Sequence, residues 1–266
     1  MLRRPSFKVY GTVHILLERA RMSAPNPHPP TRNLLIGALP AATYERLLPH
    51  FDPVVLPLGW SVYESGERMA HVYFPTDGIV SRLSVMQDGA SAEIAITGNE
   101  GAVGISLFMG GESTISRAVV QSAGNAYRLK AALVKSEFAR GDEFQHLLLR
   151  FTQALITQMS QTAVCNRHHT VEQQLCRWLL LSLDRLPTNQ LAMTQELIAN
   201  MLGVRRGGVT DAARHLQVAG LIEYARGKIT VLDRPKLEAR ACECYAVVKR
   251  ESDRLLSHFR AVSSAR

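Results

Sequence analysis

Cysteine is scarce in this 266-residue chain: Cys165, Cys176, Cys242 and Cys244 are the four, and the N-terminal half has none. So few thiols cannot frame a disulfide-stapled fold, and a reducing cytoplasm is the expected setting. No apolar run reaches the roughly 18–20 residues that a membrane span needs. The arginines near the N-terminus are followed by neither a long apolar core nor a small-residue cleavage site, so no secretory signal is expected. Serine–histidine–acid and paired-carboxylate patterns are missing, as is a phosphate-cradling glycine loop. The strands lack the clustered histidines that a cupin-like metal site would use. Strand–helix alternation is missing too, which argues against a doubly wound nucleotide fold. Nothing positive supports an enzyme.

What the chain does have is an uneven charge. The net +8 divides into +5 over residues 1–35, −2 over 36–190 and +5 over 191–266. A polyanionic partner should meet the C-terminal part, a solvated basic face being the plain alternative. The length and the 46% hydrophobic content allow two small domains with real cores. "PNPHPP" (Pro25 to Pro30) is a proline-broken linker, so residues 1–30 read as a disordered extension. Met22 stands just before it and is an alternative start to Met1.

Residues 54–130 read as β. Short apolar stretches are separated by turn signals at Leu58-Gly59, Asp77-Gly78, Asp88-Gly89, Gly110-Gly111 and Gly124-Asn125. "SAEIAI", "RAVVQ" and "NAYRL" are strands, and their spacing suggests a small sandwich or barrel. At Asp142 the period changes. Phe144, Leu148, Phe151 and Leu155 recur at coiled-coil spacing and predict a dimer seam; Gln158 and Thr162 continue it with polar side chains. A single buried helix is the alternative. A second helix over residues 170–186 ends at Pro187.

"TQELIANMLGVRRGGVTDAARHL" (Thr194 to Leu216) reads as a helix-turn-helix. Thr194 caps the first helix and Glu196 suits its positive end. Gly203 takes the turn. Val209, Ala212, Ala213 and Leu216 face inward, which leaves Arg206, Thr210, Asp211 and Arg214 outward as a recognition helix would. Arg206 is expected to read a base, with Arg205, Thr210 and Arg214 helping or touching phosphate. Gly207 and Gly208 allow close backbone approach to a phosphate, or merely leave the helix start frayed. "LIEYARGKITVL" is a hairpin whose tip, Arg226 and Lys228, is placed to touch phosphate. After Asp233 one further helix is expected, with Leu237, Ala241, Tyr245 and Val248 on a shared face.

This layout resembles the Crp/Fnr family of bacterial transcription regulators over roughly residues 35–235. Two stretches carry the likeness, "ELIANMLGVRRGGVTDAARHLQVAGLIEYARGKITV" and, more loosely, "EGAVGISLFMGGESTISRAVV". The resemblance implies an α+β fold: an N-terminal antiparallel β-roll or jelly roll of the cyclic-nucleotide-binding type, a long dimerisation helix and a C-terminal winged helix-turn-helix. The expected divisions are 1–30 (extension), 31–140 (β-roll), 141–187 (dimerisation and connecting helices), 188–236 (winged helix) and 237–266 (C-terminal helix). The implied partners are a near-palindromic DNA duplex, a second copy of the chain and RNA polymerase.

Cyclic-nucleotide binders in the family carry Gly-Glu-Leu and then Arg-Ser or Arg-Thr. Here the matching residues are Gly104-Ile105-Ser106 and Arg117-Ala118, with Met159-Ser160 where cyclic-AMP binders offer hydroxyls to the purine. Without the glutamate, a ribose hydroxyl loses its acceptor at a cost on the order of 1–3 kcal/mol, which argues against cyclic AMP. Arg117 either binds some small anionic effector or pairs with a carboxylate. Gly207 also stands where many members place a glutamate that reads cytosine, so the family's usual half-site is not assumed. The N-terminal cysteines of the iron–sulfur branch are absent, and His71 is a haem-ligand candidate by type only. Cys165 and His169 lie four apart, but two ligands do not close a zinc site, and Cys242 and Cys244 are too distant in sequence to recruit by spacing. No cofactor and no metal are expected. The alternative function is an effector-sensing scaffold whose winged helix binds a protein partner. Steep salt dependence would distinguish DNA binding from it.

Overall fold

The turn signals of the first half separate seven strands in two antiparallel sheets. The computed structural model describes residues 27–263; Met22 and the stretch before it lie outside the described residues. One sheet runs β1 (Asp52–Leu56), β7 (Gly124–Lys130), β3 (His71–Pro75). The other runs β2 (Ser61–Tyr63), β6 (Ser116–Ser122), β4 (Ile79–Val85), β5 (Ser91–Thr97). Val54, Leu56, Phe74 and Leu129 from the first sheet share a core with Val80, Ala118 and Val120 from the second. Gly124 permits the chain's close approach at the corner: a Cβ there would fall 2.5 Å from the Gly78 nitrogen.

Ahead of the roll lie α1 (Leu34–Gly37) and α2 (Ala41–Leu47). Buried Asn33 caps α1 by accepting from the Leu35 and Ile36 nitrogens, and donates to the Pro75 and Gly101 carbonyls at 2.9 Å each. Part of the expected extension is held in place: the Tyr127 hydroxyl donates to the His28 carbonyl at 2.8 Å.

After α3 (Ala131–Phe138) comes the long helix α4 (Glu143–His168), N-capped by Asp142. Here one expectation is corrected. Phe144, Leu148, Phe151 and Leu155 do not form a seam between chains. They are 1–3% exposed and belong to the core of their own β-roll. Phe151 rests on the backbone of Gly101, where a Cβ would fall 2.1 Å from its ring. The polar continuation of the stripe is turned inward as well. Gln158 accepts from the Ile96 nitrogen at 2.7 Å and donates to its carbonyl at 3.2 Å, which occupies the free edge of β5. Among the exposed residues of α4, Leu149, Gln153, Ile156, Ser160, Ala163 and Arg167 recur at the same coiled-coil spacing on a different face.

A capping box of Thr170 and Gln173 starts α5 (Val171–Leu183). The C-terminal half continues with β8 (Gln190–Ala192), α6 (Gln195–Leu202), α7 (Arg206–Val218), β9 (Ile222–Ala225) and β10 (Lys228–Val231), the strands pairing in the order β8-β10-β9. The single terminal helix expected after Asp233 is two. α8 (Arg234–Arg240) and α9 (Glu243–Ser263) are separated by extended Ala241, and α9 turns back against α4. Leu237, Tyr245 and Val248 are buried as their shared spacing predicts, and Ala241 partly so. A second core joins Ile79, Leu83 and Ile96 of the roll to α5, α6 and α7, so the two halves of the chain are packed together. Among the described residues no helix is long and apolar enough to cross a membrane.

Candidate nucleic-acid interface

The local sequence builds the helix-turn-helix step by step. Thr194 accepts from the Leu197 nitrogen at 3.3 Å and opens α6. Gly203 closes it with φ of 66°, a left-handed conformation that a side chain resists. Val209, Ala212, Ala213 and Leu216 of α7 are buried against α5 and α6. Arg206, Gly207, Thr210, Asp211 and Arg214 face outward, with Arg205 just before them. Arg205 is the N-cap of α7 and makes no side-chain capping bond. The first turn thus offers backbone N–H groups beside two guanidinium groups, the arrangement that favours an anion.

Neighbours fix parts of this face. Thr210 donates to Gln195 at 2.8 Å, which links the starts of the two helices. Arg214 and Asp211 pair loosely at 3.4 Å. A Cβ at Gly207 would meet nothing within 4 Å, and one at Gly208 would meet only Val171 at ordinary contact distance, so packing requires neither glycine. Tyr224 of β9 is anchored twice: Gln217 accepts from its backbone nitrogen, and its hydroxyl donates to the Met193 carbonyl, both at 2.8 Å. The hairpin tip turns at Arg226 and Gly227, both at positive φ, and leaves Arg226 and Lys228 exposed.

Solved structures share this arrangement. A protein from Eubacterium rectale described as a Crp/Fnr-family transcriptional regulator is 18% identical, with 77% of this chain and 96% of that one covered at a TM-score of 0.62. FixK2 from Bradyrhizobium japonicum is 17% identical over 72% of this chain and 98% of its own, at 0.60. The c-di-GMP-responsive global regulator CLP of Xanthomonas campestris is 17% identical over 73% and 100%, also at 0.60. Residues 173–240 match the Crp-like helix-turn-helix domain. The fold is that of these regulators, and the C-terminal part carries a Crp-like helix-turn-helix domain. No curated protein sequence matches it.

The residues expected at a nucleotide site differ in their surroundings. Gly104 is buried at φ of 111° ahead of a short helical turn at Ile105, Ser106 and Leu107. Ile105 and Ala118 are core residues. Arg117 pairs with Glu64 at 3.1 Å at the surface, not inside the roll. Met159 packs partly against the core of the roll and Ser160 is exposed. A cavity of about 420 Å³ opens elsewhere, between α5, α9 and the roll, lined among others by Leu34, Asn99, Arg185, Val248 and Lys249. His71 sits half-buried on β3, its imidazole shifted down by burial and by Arg128.

One grouping lay beyond reach of sequence spacing. Cys165, His169, Cys242 and Cys244 come together at the end of α4, with their ligating atoms all within 4.8 Å of one another.

Proposed function

We propose that this chain is a Crp/Fnr-type regulator acting as a homodimer that reads a near-palindromic DNA site with the N-terminal turn of α7. The observation that carries the reading is the exposed, uncapped start of that helix, with Arg205, Arg206, Gly207 and Gly208 at its tip and Thr210, Asp211 and Arg214 beside it. Arg206 supplies a planar fork able to pair with guanine O6 and N7. Arg226 and Lys228 on the hairpin contact phosphate alongside.

The second copy docks on the outer face of α4. Leu149, Ile156 and Val164 are 42–48% exposed there, although large and apolar. Leu149, Gln153, Ile156, Ser160 and Ala163 keep the spacing of a two-stranded seam, and Val164 lies beside it. Two recognition helices carried this way would meet half-sites about 34–36 Å apart. A small anionic effector that engages Arg117 must displace Glu64, and it regulates only by binding one orientation of the DNA-binding half better.

Arg206→Ala tests the reading. In competition binding at fixed salt, it should reduce discrimination between the selected site and a site altered at one base by about 1–3 kcal/mol. Equal weakening on both duplexes would contradict base reading.

A further inference from the structure

Three cysteines and one histidine from two distant parts of the chain meet where α4 ends. Cys165 is on the last turn of α4 and His169 is its C-cap; Cys242 and Cys244 flank the start of α9. The sequence separations are 77 between Cys165 and Cys242, and 75 between His169 and Cys244. The three thiols are 5% exposed or less, in a small cluster apart from the two main cores. The structure assigns these four side chains a tetrahedral metal site, of Cys3His composition and suited to zinc.

The geometry agrees with that assignment in three ways. Zinc bonds of about 2.3 Å to sulfur and 2.0–2.1 Å to nitrogen, placed tetrahedrally, separate two sulfurs by about 3.8 Å and a sulfur from a nitrogen by about 3.6 Å. Here Cys165 Sγ and Cys242 Sγ are 3.5 Å apart, and Cys244 Sγ lies 3.6 Å from His169 Nδ1. A disulfide would need sulfurs about 2.05 Å apart, and all four cysteines are free.

Second, the histidine is presented with the correct nitrogen. His169 Nε2 faces Glu243 Oε2 at 3.4 Å, which leaves Nδ1 turned towards the thiols. Metal-bound histidines usually give the other ring N–H to such an acceptor, and this fixes the tautomer. The His169 backbone is held on both sides: its N–H donates to the Cys165 carbonyl at 3.0 Å, and its carbonyl accepts from Gln174 at 2.9 Å.

Third, the surroundings suit the charge. Three thiolates, a neutral imidazole and a dication leave one net negative charge. Buried Arg177 of α5 donates to Thr162 on α4 at 3.0 Å, and its Nε has no hydrogen-bond partner among the described residues. Four protein ligands leave no open position, so the metal is structural rather than catalytic. It fastens the start of α9 to the end of α4, at the joint between the long helix and the DNA-binding half.

Cys176 provides an internal control, since it is buried on α5 outside the quartet. Full-length protein purified under reducing conditions should hold about one zinc per chain by elemental mass spectrometry. Cys176→Ser should keep it, and Cys242→Ser and Cys244→Ser should lose most of it. Because those two variants risk misfolding, wild-type protein stripped with chelator is also titrated with cobalt(II). Intense visible bands with sulfur-to-metal charge transfer, bleached by one equivalent of zinc, support the site. A weak octahedral cobalt spectrum, a Cys165–Cys242 disulfide in protein isolated with thiols blocked, acid-labile sulfide with iron, or equal metal loss in Cys176→Ser would each overturn it.

Discussion

Glu93 is a carboxyl group held where apolar side chains are the rule. The Ser81 hydroxyl lies 2.6 Å from Glu93 Oε2 and 2.7 Å from Gln121 Oε1, while Gln121 donates to Ser182 of α5 at 3.0 Å. One hydroxyl proton cannot serve two acceptors, so this chain of bonds is fully satisfied when Glu93 is protonated. Burial, the largest influence, pushes that carboxyl up to about 7. A raised carboxyl pKa stabilises the fold below its unfolded value, and the gain is lost as pH rises through the folded one. Glu93→Gln should therefore be more stable than wild type at pH 8, by up to about 3 kcal/mol, with the difference vanishing near pH 4.5. Urea unfolding at the two pH values measures this, and a gain independent of pH would contradict it. Gly207→Ala makes the opposite kind of test. Its Cβ meets open space, so stability should hold or rise by up to about 1 kcal/mol. DNA affinity should fall if the backbone approaches phosphate there, and unchanged affinity would leave Gly207 as a frayed helix start. The outward set on α7 was legible because helical period alone assigns it. Glu93 was not, because the sheet that carries it is covered on both faces, by the roll on one side and by α5 and α6 on the other. Polar alternation then no longer marks which side faces solvent.

The elements divide in the same way. Capping residues, the glycine turn and the basic hairpin are local signals, and the winged helix could be read from them. For α4 the period established that one stripe must be buried, but not against which partner. The roll took Phe144, Leu148, Phe151 and Leu155, which leaves Leu149 and Ile156 outward. The two stripes should respond differently to charge. Ile156→Glu should yield a folded monomer in sedimentation. Phe151→Glu should destabilise the roll itself by several kcal/mol, since it buries an unpaired carboxylate against Gly101. A stably folded monomeric Phe151→Glu, or a dimeric Ile156→Glu, would reverse the assignment of faces. The break between α8 and α9 was not legible, since Ala241 and Cys242 carry no helix-stopping signal. Its consequence, the return of Cys242 and Cys244 to Cys165, depends on tertiary packing alone.

Across the whole molecule, charge and architecture agree. The basic C-terminal part carries the exposed arginines of α7 and the hairpin, and the mildly acidic middle is the roll. The turn of the helix-turn-helix docks on that roll: a Cβ on Gly203 would lie 3.1 Å from the Ala92 side chain. Ser182 and Gln121 join the two halves as well. Movement of the DNA-binding half therefore has to break a packed contact, which is the kind of two-state element through which an effector acts. Binding to the specific duplex should weaken steeply as salt rises, since each phosphate contact releases counterions. The most direct test of the central claim is selection of bound fragments from random duplex DNA by the purified full-length protein at near-physiological salt. The expected result is a two-fold symmetric motif with half-sites one helical turn apart, and loss of enrichment at one position in each half-site for Arg206→Ala. Recovery of an asymmetric motif, or of none with or without small anionic ligands, would contradict a DNA-reading dimer.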